Sequence, residues 1–293
     1  MSDQMPSLDD EKISKALQGM SIPPQPQVLV DLHMECAKPE PSQSEIADII
    51  SQDVGLAAAV LKTVNSPFFG LPRKVASVQH ATNLMGLSNT LNIVNALSLR
   101  KAMGNEQDEV LQRFWDTAQD VALACVTLAR ELNIANPEET YTLGLFHNVG
   151  IPMMLKRFRD YRAVIAVGYQ KGKINQVEDQ FLSTNHATVG YFLARSWHLP
   201  EQICSAIYDH HNLLQVFKHD EDQRKRTLIA VLKTAEHICG LYRVLGKQEK
   251  DLEWLKWQSA ILDHLHLDED ELANLTERLN DMGLRSDNYQ WRL

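Results

Sequence analysis

Apolar residues recur along this chain at intervals of three and four, and that spacing predicts helices almost throughout. Ser42-x-x-Glu45 has the form of a capping box ahead of Ile46, Ile49 and Ile50, and Asp53 stands ready to cap a helix carrying Leu56, Val60, Leu61 and Val64. After the break Asn-Ser-Pro-Phe-Phe-Gly-Leu-Pro-Arg-Lys at 65–74, Ser77 can cap a helix with Val78, Ala81, Leu84 and Met85. That helix ends at Gly86, before Ser88 opens the next. From about residue 108 to 132 a long amphipathic pattern runs through Phe114, Ala118, Val121, Ala122, Cys125, Leu128 and Ala129, with Asn136-Pro137 closing it. Further helices are expected near 141–149, 159–171, 175–185, 187–197, 200–211 and 227–245, with two or three more beyond. Strand signals are scarce, and neither Asn-Gly nor Asp-Gly occurs to turn a hairpin.

The expected fold class is therefore all-α: an N-terminal helical bundle packed on a second helical domain, with a C-terminal helical extension. The divisions fall at 1–20 (an N-terminal segment), 21–105 (the first lobe), 106–246 (the second lobe) and 247–293, with the boundary between lobes in the polar stretch 103–109. In the extension, Leu252, Trp254, Leu255, Trp257, Ile261, Leu262, Leu265 and Leu267 form amphipathic helices that either pack back onto the domain or make a homodimer or partner surface. Tyr289 and Trp291 carry too little pattern to interpret.

Charge changes this picture locally. The net charge is -9, but residues 249–281 hold ten acids against three bases and the first twenty residues four acids against two. Residues 21–248 are nearly neutral, with 23 acids and 22 bases. A basic run at Lys156, Arg157, Arg159 and Arg162, continued by Lys171 and Lys173, is opposed locally by Asp160 alone, and marks either a solvated helix face or an anion or partner patch. No stretch approaches the roughly 18 uninterrupted apolar residues of a membrane span, and the acidic start lacks a signal-peptide core. Cys36, Cys125, Cys204 and Cys239 form no Cys-x-x-Cys pair. A cytoplasmic protein without membrane association is the expectation.

Two constellations compete for function. The helix pair at 77–99, broken by Gly86, looks like a helix-turn-helix, yet residues 75–99 contain no Lys, Arg, Asp or Glu to neutralise or steer phosphate. Nucleic acid is thus not an expected partner, and Asn89, Asn92 and Asn95 need hydrogen-bond partners instead. The other constellation is histidine: His147-Asn148, His186 and His210-His211 lie at the ends or starts of three predicted helices. Imidazoles converging from facing helices, with a carboxylate, can hold zinc, iron or manganese. Singly, each is more commonly a hydrogen-bonded core histidine.

The order of these motifs carries a resemblance. Trp-x-Thr-Ala at 115–118, Leu-Phe-His-Asn-Val-Gly at 145–150, His-Ala-Thr-Val-Gly at 186–190, His210-His211 and Ala235-Glu236 resemble the HD superfamily of metal-dependent phosphohydrolases. Ile-Pro-Pro-Gln-Pro-Gln-Val-Leu at 22–29, Ile-Ser-Gln-Asp-Val-Gly-Leu at 50–56, Val-Asn-Ser-Pro-Phe-Phe-Gly-Leu-Pro at 64–72 and Ser-Val-Gln-His-Ala-Thr-Asn-Leu-Met-Gly-Leu at 77–87 are similar to the HDOD domain, an HD-related output domain of bacterial signalling proteins. The resemblance covers roughly residues 20–240. It implies a weakened metal site: Thr117 stands where the enzymes have a histidine, Asn148 where they have an aspartate, and Glu236 where they have a final aspartate. The implied candidate ligands are His147, Asn148, His186, His210, His211 and Glu236, with no confident catalytic residue.

Two functions follow. The favoured one is a noncatalytic module of bacterial signal transduction that binds a protein partner or a nucleotide-like ligand and carries no cofactor. The alternative is a phosphohydrolase acting on nucleotides or cyclic dinucleotides through a single divalent metal (Mn, Fe or Zn), which would lower the pKa of bound water. A neutral Asn148 cannot bridge cations as a carboxylate does. The cysteines sit in apolar helical contexts that do not favour a thiolate. No receiver, cyclase or kinase segment is recognisable to name the signal.

Overall fold

The computed structural model describes residues 10–65, 71, 73–104 and 109–284. Every regular element among them is helical: α1 (Asp10–Leu17), α2 (Gln27–Cys36), α3 (Gln43–Ser51), α4 (Val54–Val64), α5 (Val78–Met103), α6 (Glu109–Leu132), α7 (Pro137–Phe146), α8 (Gly150–Arg157), α9 (Tyr161–Lys171), α10 (Ile174–Leu182), α11 (His186–Ser196), α12 (Glu201–Asp209), α13 (Leu213–Lys218), α14 (Gln223–Ile238), α15 (Leu241–Val244), α16 (Leu252–Leu265) and α17 (Glu269–Asp281). The all-α expectation holds. Most of the Asn-Ser-Pro-Phe-Phe-Gly-Leu-Pro element (66–70 and 72), residues 105–108 of the polar stretch, and Tyr289 and Trp291 lie outside the described residues.

The chain divides into two compact units, Pro23–Gln107 and a second made of Met1–Ile22 with Asp108–Leu293. In the first, Ser42, Asp53 and Ser77 cap α3, α4 and α5 by accepting from the backbone N–H of Glu45, Leu56 and His80. The box at Ser42 closes differently from the sequence pattern: the Ser42 N–H donates to Glu35 of α2 at 3.1 Å, so the reciprocal carboxylate comes from another helix. Leu29, Leu32, Ile46, Ile50, Val60, Val64, Ala81, Val94 and Leu99 form its core. Asn65 holds both ends of the following loop together, donating Nδ2 to the Val75 carbonyl and accepting the Val75 N–H, each at 2.8 Å. Gly86 breaks α5 with φ of +74°, a region in which a side chain would be strained. Asn89 donates back to the Met85 carbonyl at 2.8 Å, which satisfies one of the three amides left open by the sequence.

In the second unit, Asn136-Pro137 opens α7 rather than merely closing α6: Asn136 caps the helix and proline takes its first turn, where its missing N–H costs nothing. The terminal segments belong to this unit. Thr184 donates its hydroxyl to the Ala16 carbonyl of α1 at 2.6 Å, and Trp254, Ile261, Leu262 and Leu265 of α16 are buried. The apolar stripe of the extension thus packs back on the domain, while Leu252 and Leu255 remain exposed.

Candidate metal centre

The four histidines singled out in the sequence meet inside the second unit. His147 follows the last residue of α7, His186 opens α11 behind its cap Asn185, and His210 and His211 follow α12. His147, His186 and His210 are buried to within 1% of full coverage, and the His211 side chain is nearly so. Close helix packing makes this convergence possible. A Cβ at Gly150 would lie 2.1 Å from the His186 carbonyl oxygen, so the glycine of the Leu-Phe-His-Asn-Val-Gly motif lets α8 cross α11 at the base of the site.

Each Nδ1 has an acceptor within hydrogen-bond reach, which favours the tautomer protonated there, although the Lys233 ammonium also stands 3.2 Å from His211 Nδ1. His147 donates Nδ1–H to the Gly144 carbonyl at 2.7 Å, and His210 does the same to the Ile207 carbonyl at 2.6 Å. His186 donates to the Glu178 carboxylate at 2.7 Å, and His211 donates to Glu253 at 2.9 Å. Each Nε2 is therefore left with a lone pair. Those of His186 and His210 stand 3.3 Å apart, where two acceptors have no proton to share, and the buried Nε2 of His211 has no hydrogen-bond partner. Ligand nitrogens of His186, His210 and His211 all lie within 4.8 Å of one another.

The electrostatics keep His210 and His211 in the form a metal requires. Burial, reinforced by neighbouring imidazoles and Lys233, pushes the pKa of both His210 and His211 well below the usual histidine value, so both are neutral at pH 7. Carboxylates fixing the far side of an imidazole are the arrangement that orients metal-binding histidines and raises their basicity. The Nε2 lone pairs of His186, His210 and His211 fit one divalent cation of the zinc, iron or manganese type.

His147 is set apart from that trio. Asn148 donates Nδ2 to His147 Nε2 at 2.7 Å, so the lone pair that would face a metal is already taken. An aspartate at this position would have offered acceptors only. Glu236 Oε1 lies 3.0 Å from the same nitrogen and, like Asn148 Oδ1, finds no hydrogen-bond partner. Burial favours the neutral form of Glu236, but the Lys233 ammonium at 2.7 Å outweighs it and holds the carboxyl well below the ordinary range. Thr117 takes no part in the cluster's hydrogen bonds. Its hydroxyl donates to the Arg113 carbonyl one turn back on α6, at 2.8 Å.

Four residues that the sequence reading did not single out complete the site. Glu178 of α10 is fully buried and accepts from Tyr161 Oη at 2.5 Å, from the His186 backbone N–H at 3.0 Å and from His186 Nδ1. Lys233 of α14 is buried between Glu236 and Glu253, at 2.7 and 2.8 Å. Burial works against its charge, yet the two carboxylates raise its pKa and keep it an ammonium. A void of about 20 Å³ touches His211, Lys233, Glu236 and Glu253, room for about one water or ion. The basic run does not converge here: Arg157 donates to the Gln18 carbonyl at 2.8 Å, and Arg162 lines a separate cavity.

The HDOD domain profile matches residues 22–213, more than half of the chain and including every histidine of the trio. The chain belongs to the HDOD family. A curated relative, an uncharacterised protein of Treponema pallidum (strain Nichols), is 29% identical over 201 residues, which are 66% of this chain and 38% of that protein. The chain thus spans well under half the length of that relative. An HDOD domain protein of unknown function from Geobacter sulfurreducens superposes with a TM-score of 0.71 at 22% identity, covering 97% of this chain and all of that one. A candidate phosphohydrolase from Shewanella amazonensis SB2B gives 0.70 at 23%, covering 93% and 96%. At these identities the likeness establishes the HDOD helical fold.

Proposed function

We propose that this HDOD chain is a noncatalytic module of bacterial signal transduction, in which His186, His210 and His211 hold one divalent metal as a structural cross-link. The observation that carries this reading is the Asn148–His147 hydrogen bond: an amide donor occupies the lone pair that a metal-bridging aspartate would have left open. The protonated Lys233 and the roughly 20 Å³ void beside Glu236 support it, because a nucleotide pocket is on the order of 300 Å³ or more. A metal bound by the trio would tie the start of α11 to the end of α12 and contribute folding energy, as structural sites do. What remains for signalling is recognition of a protein partner by the folded surface.

The test is turnover. Chain purified without chelator, and chain reconstituted separately with manganese, iron and zinc, is assayed on bis(p-nitrophenyl) phosphate and on a cyclic dinucleotide. No turnover above the free-metal background is expected. Turnover abolished by His210→Ala would establish the phosphohydrolase instead.

A further inference from the structure

A second cavity, of about 310 Å³, opens in the same unit between α6, α8, α9 and the end of α15. Phe114, Ile151, Leu155, Ile165, Val244 and Leu245 make its walls, and it is backed by Tyr161. Phe114, Ile151, Ile165 and Val244 are each no more than 5% exposed, so the space lies within the helix packing rather than on a surface patch. No polar group at these walls calls for a ligand. The Tyr161 hydroxyl is committed to Glu178 at 2.5 Å, and Arg113 and Lys247, which also line the cavity, have interaction partners of their own. Arg162 is exposed, where water solvates its guanidinium. The buried side-chain atoms without a hydrogen-bond partner among the described residues belong to Asn148, Asn175, His211 and Glu236, and none of these lines the cavity.

Size and chemistry together narrow the occupant. Folded interiors hold few voids larger than one water, because wall atoms that face empty space lose their dispersion contacts. Water fills such a space poorly, since an ordered molecule needs roughly two to four polar partners. An ion of either sign would give up its hydration and find no free counter-charge inside. Ala163 and Ala166, one turn apart on α9, line the cavity with side chains too short to fill it. Its volume lies at the small end of the range for ligand pockets, roughly 300–1,000 Å³. We propose that this cavity is a binding site for a compact neutral hydrophobic molecule of the alkylbenzene kind, seated between α8 and α9 against Phe114 and Ile165. The proposal is independent of the metal centre, although Tyr161, which backs the cavity, also donates to the Glu178 carboxylate that orients His186.

The experiment is isothermal titration calorimetry of the full chain with p-xylene, beside p-toluate and 4-methylbenzylamine, which carry a negative and a positive charge on nearly the same frame. Saturable one-to-one binding of p-xylene is expected, with both charged analogues about tenfold weaker or worse, because the site leaves either charge unpaired. Ala166→Phe should abolish binding by occupying the space, and Arg162→Gln should leave it unchanged, with circular dichroism confirming both folds. Absence of p-xylene binding overturns the proposal. So does equal affinity for either charged analogue, a comparison that needs no variant, or binding untouched by Ala166→Phe. Preference for p-toluate that is lost in Arg162→Gln would also overturn it, making the cavity an anion site.

Discussion

Asn148 Nδ2 stands 2.7 Å from Nε2 of its neighbour His147, on a ring whose other nitrogen is committed to the Gly144 carbonyl. This bond closes a coordination position with a neutral amide and leaves Glu236 neutralised by Lys233 rather than by a metal. Asn148→Asp is expected to reverse the closure. The variant buries a second carboxylate beside Glu236 and should lose about 3–5 kcal/mol of metal-free stability, with more of that loss recovered on adding manganese or zinc than in the parent. Urea unfolding with and without metal measures both quantities; equal metal stabilisation in the two proteins would contradict the role given to Asn148.

Glu178 serves three donors at once: Tyr161 Oη, the His186 N–H and His186 Nδ1. Glu178→Ala should therefore cost about 3–5 kcal/mol by stranding buried groups. Glu178→Gln keeps an acceptor but loses the charge, and metal affinity should drop about 10- to 100-fold, read by competition with a chromophoric chelator.

Lys233 is the counter-ion of two buried carboxylates, Glu236 and Glu253. Lys233→Met leaves both uncompensated and should destabilise the second unit by about 3–5 kcal/mol. The double change Lys233→Met with Glu253→Gln should recover part of that loss in a double-mutant cycle. Additive losses would show that the contact is incidental.

The thiols give a test of burial. Burial pushes Cys125 and Cys239 well above the ordinary thiol value and lifts Cys204 to about 11, whereas half-buried Cys36 is raised less. Thiolate is the reactive form, so Ellman's reagent at pH 8 should titrate Cys36 first in the native chain and the other three only on unfolding.

Much of this arrangement was legible in the sequence because its signals are local. The caps at Ser42, Asp53 and Ser77, the break at Gly86 and the histidines at helix ends are set within a few residues, and the structure keeps them. Glu178, Lys233 and Glu253 were not legible. Their meaning depends on partners 8 to 42 residues away, and an isolated glutamate on an amphipathic helix reads as a solvated face. The acidic C-terminal segment looked like a separate extension, yet Glu253 within it holds His211. The two roles of Asn136-Pro137, after one helix and inside the next, likewise depend on where the chain turns in space.

The most direct test is metal stoichiometry by inductively coupled plasma mass spectrometry on chain purified without chelator, beside His186→Ala, His210→Ala, His211→Ala and His147→Ala. One manganese, iron or zinc per chain is expected, lost in the first three variants and retained in the fourth, whose lone pair Asn148 already occupies. Metal-free protein that takes up none on reconstitution, or two metals per chain lost with His147, would contradict the account.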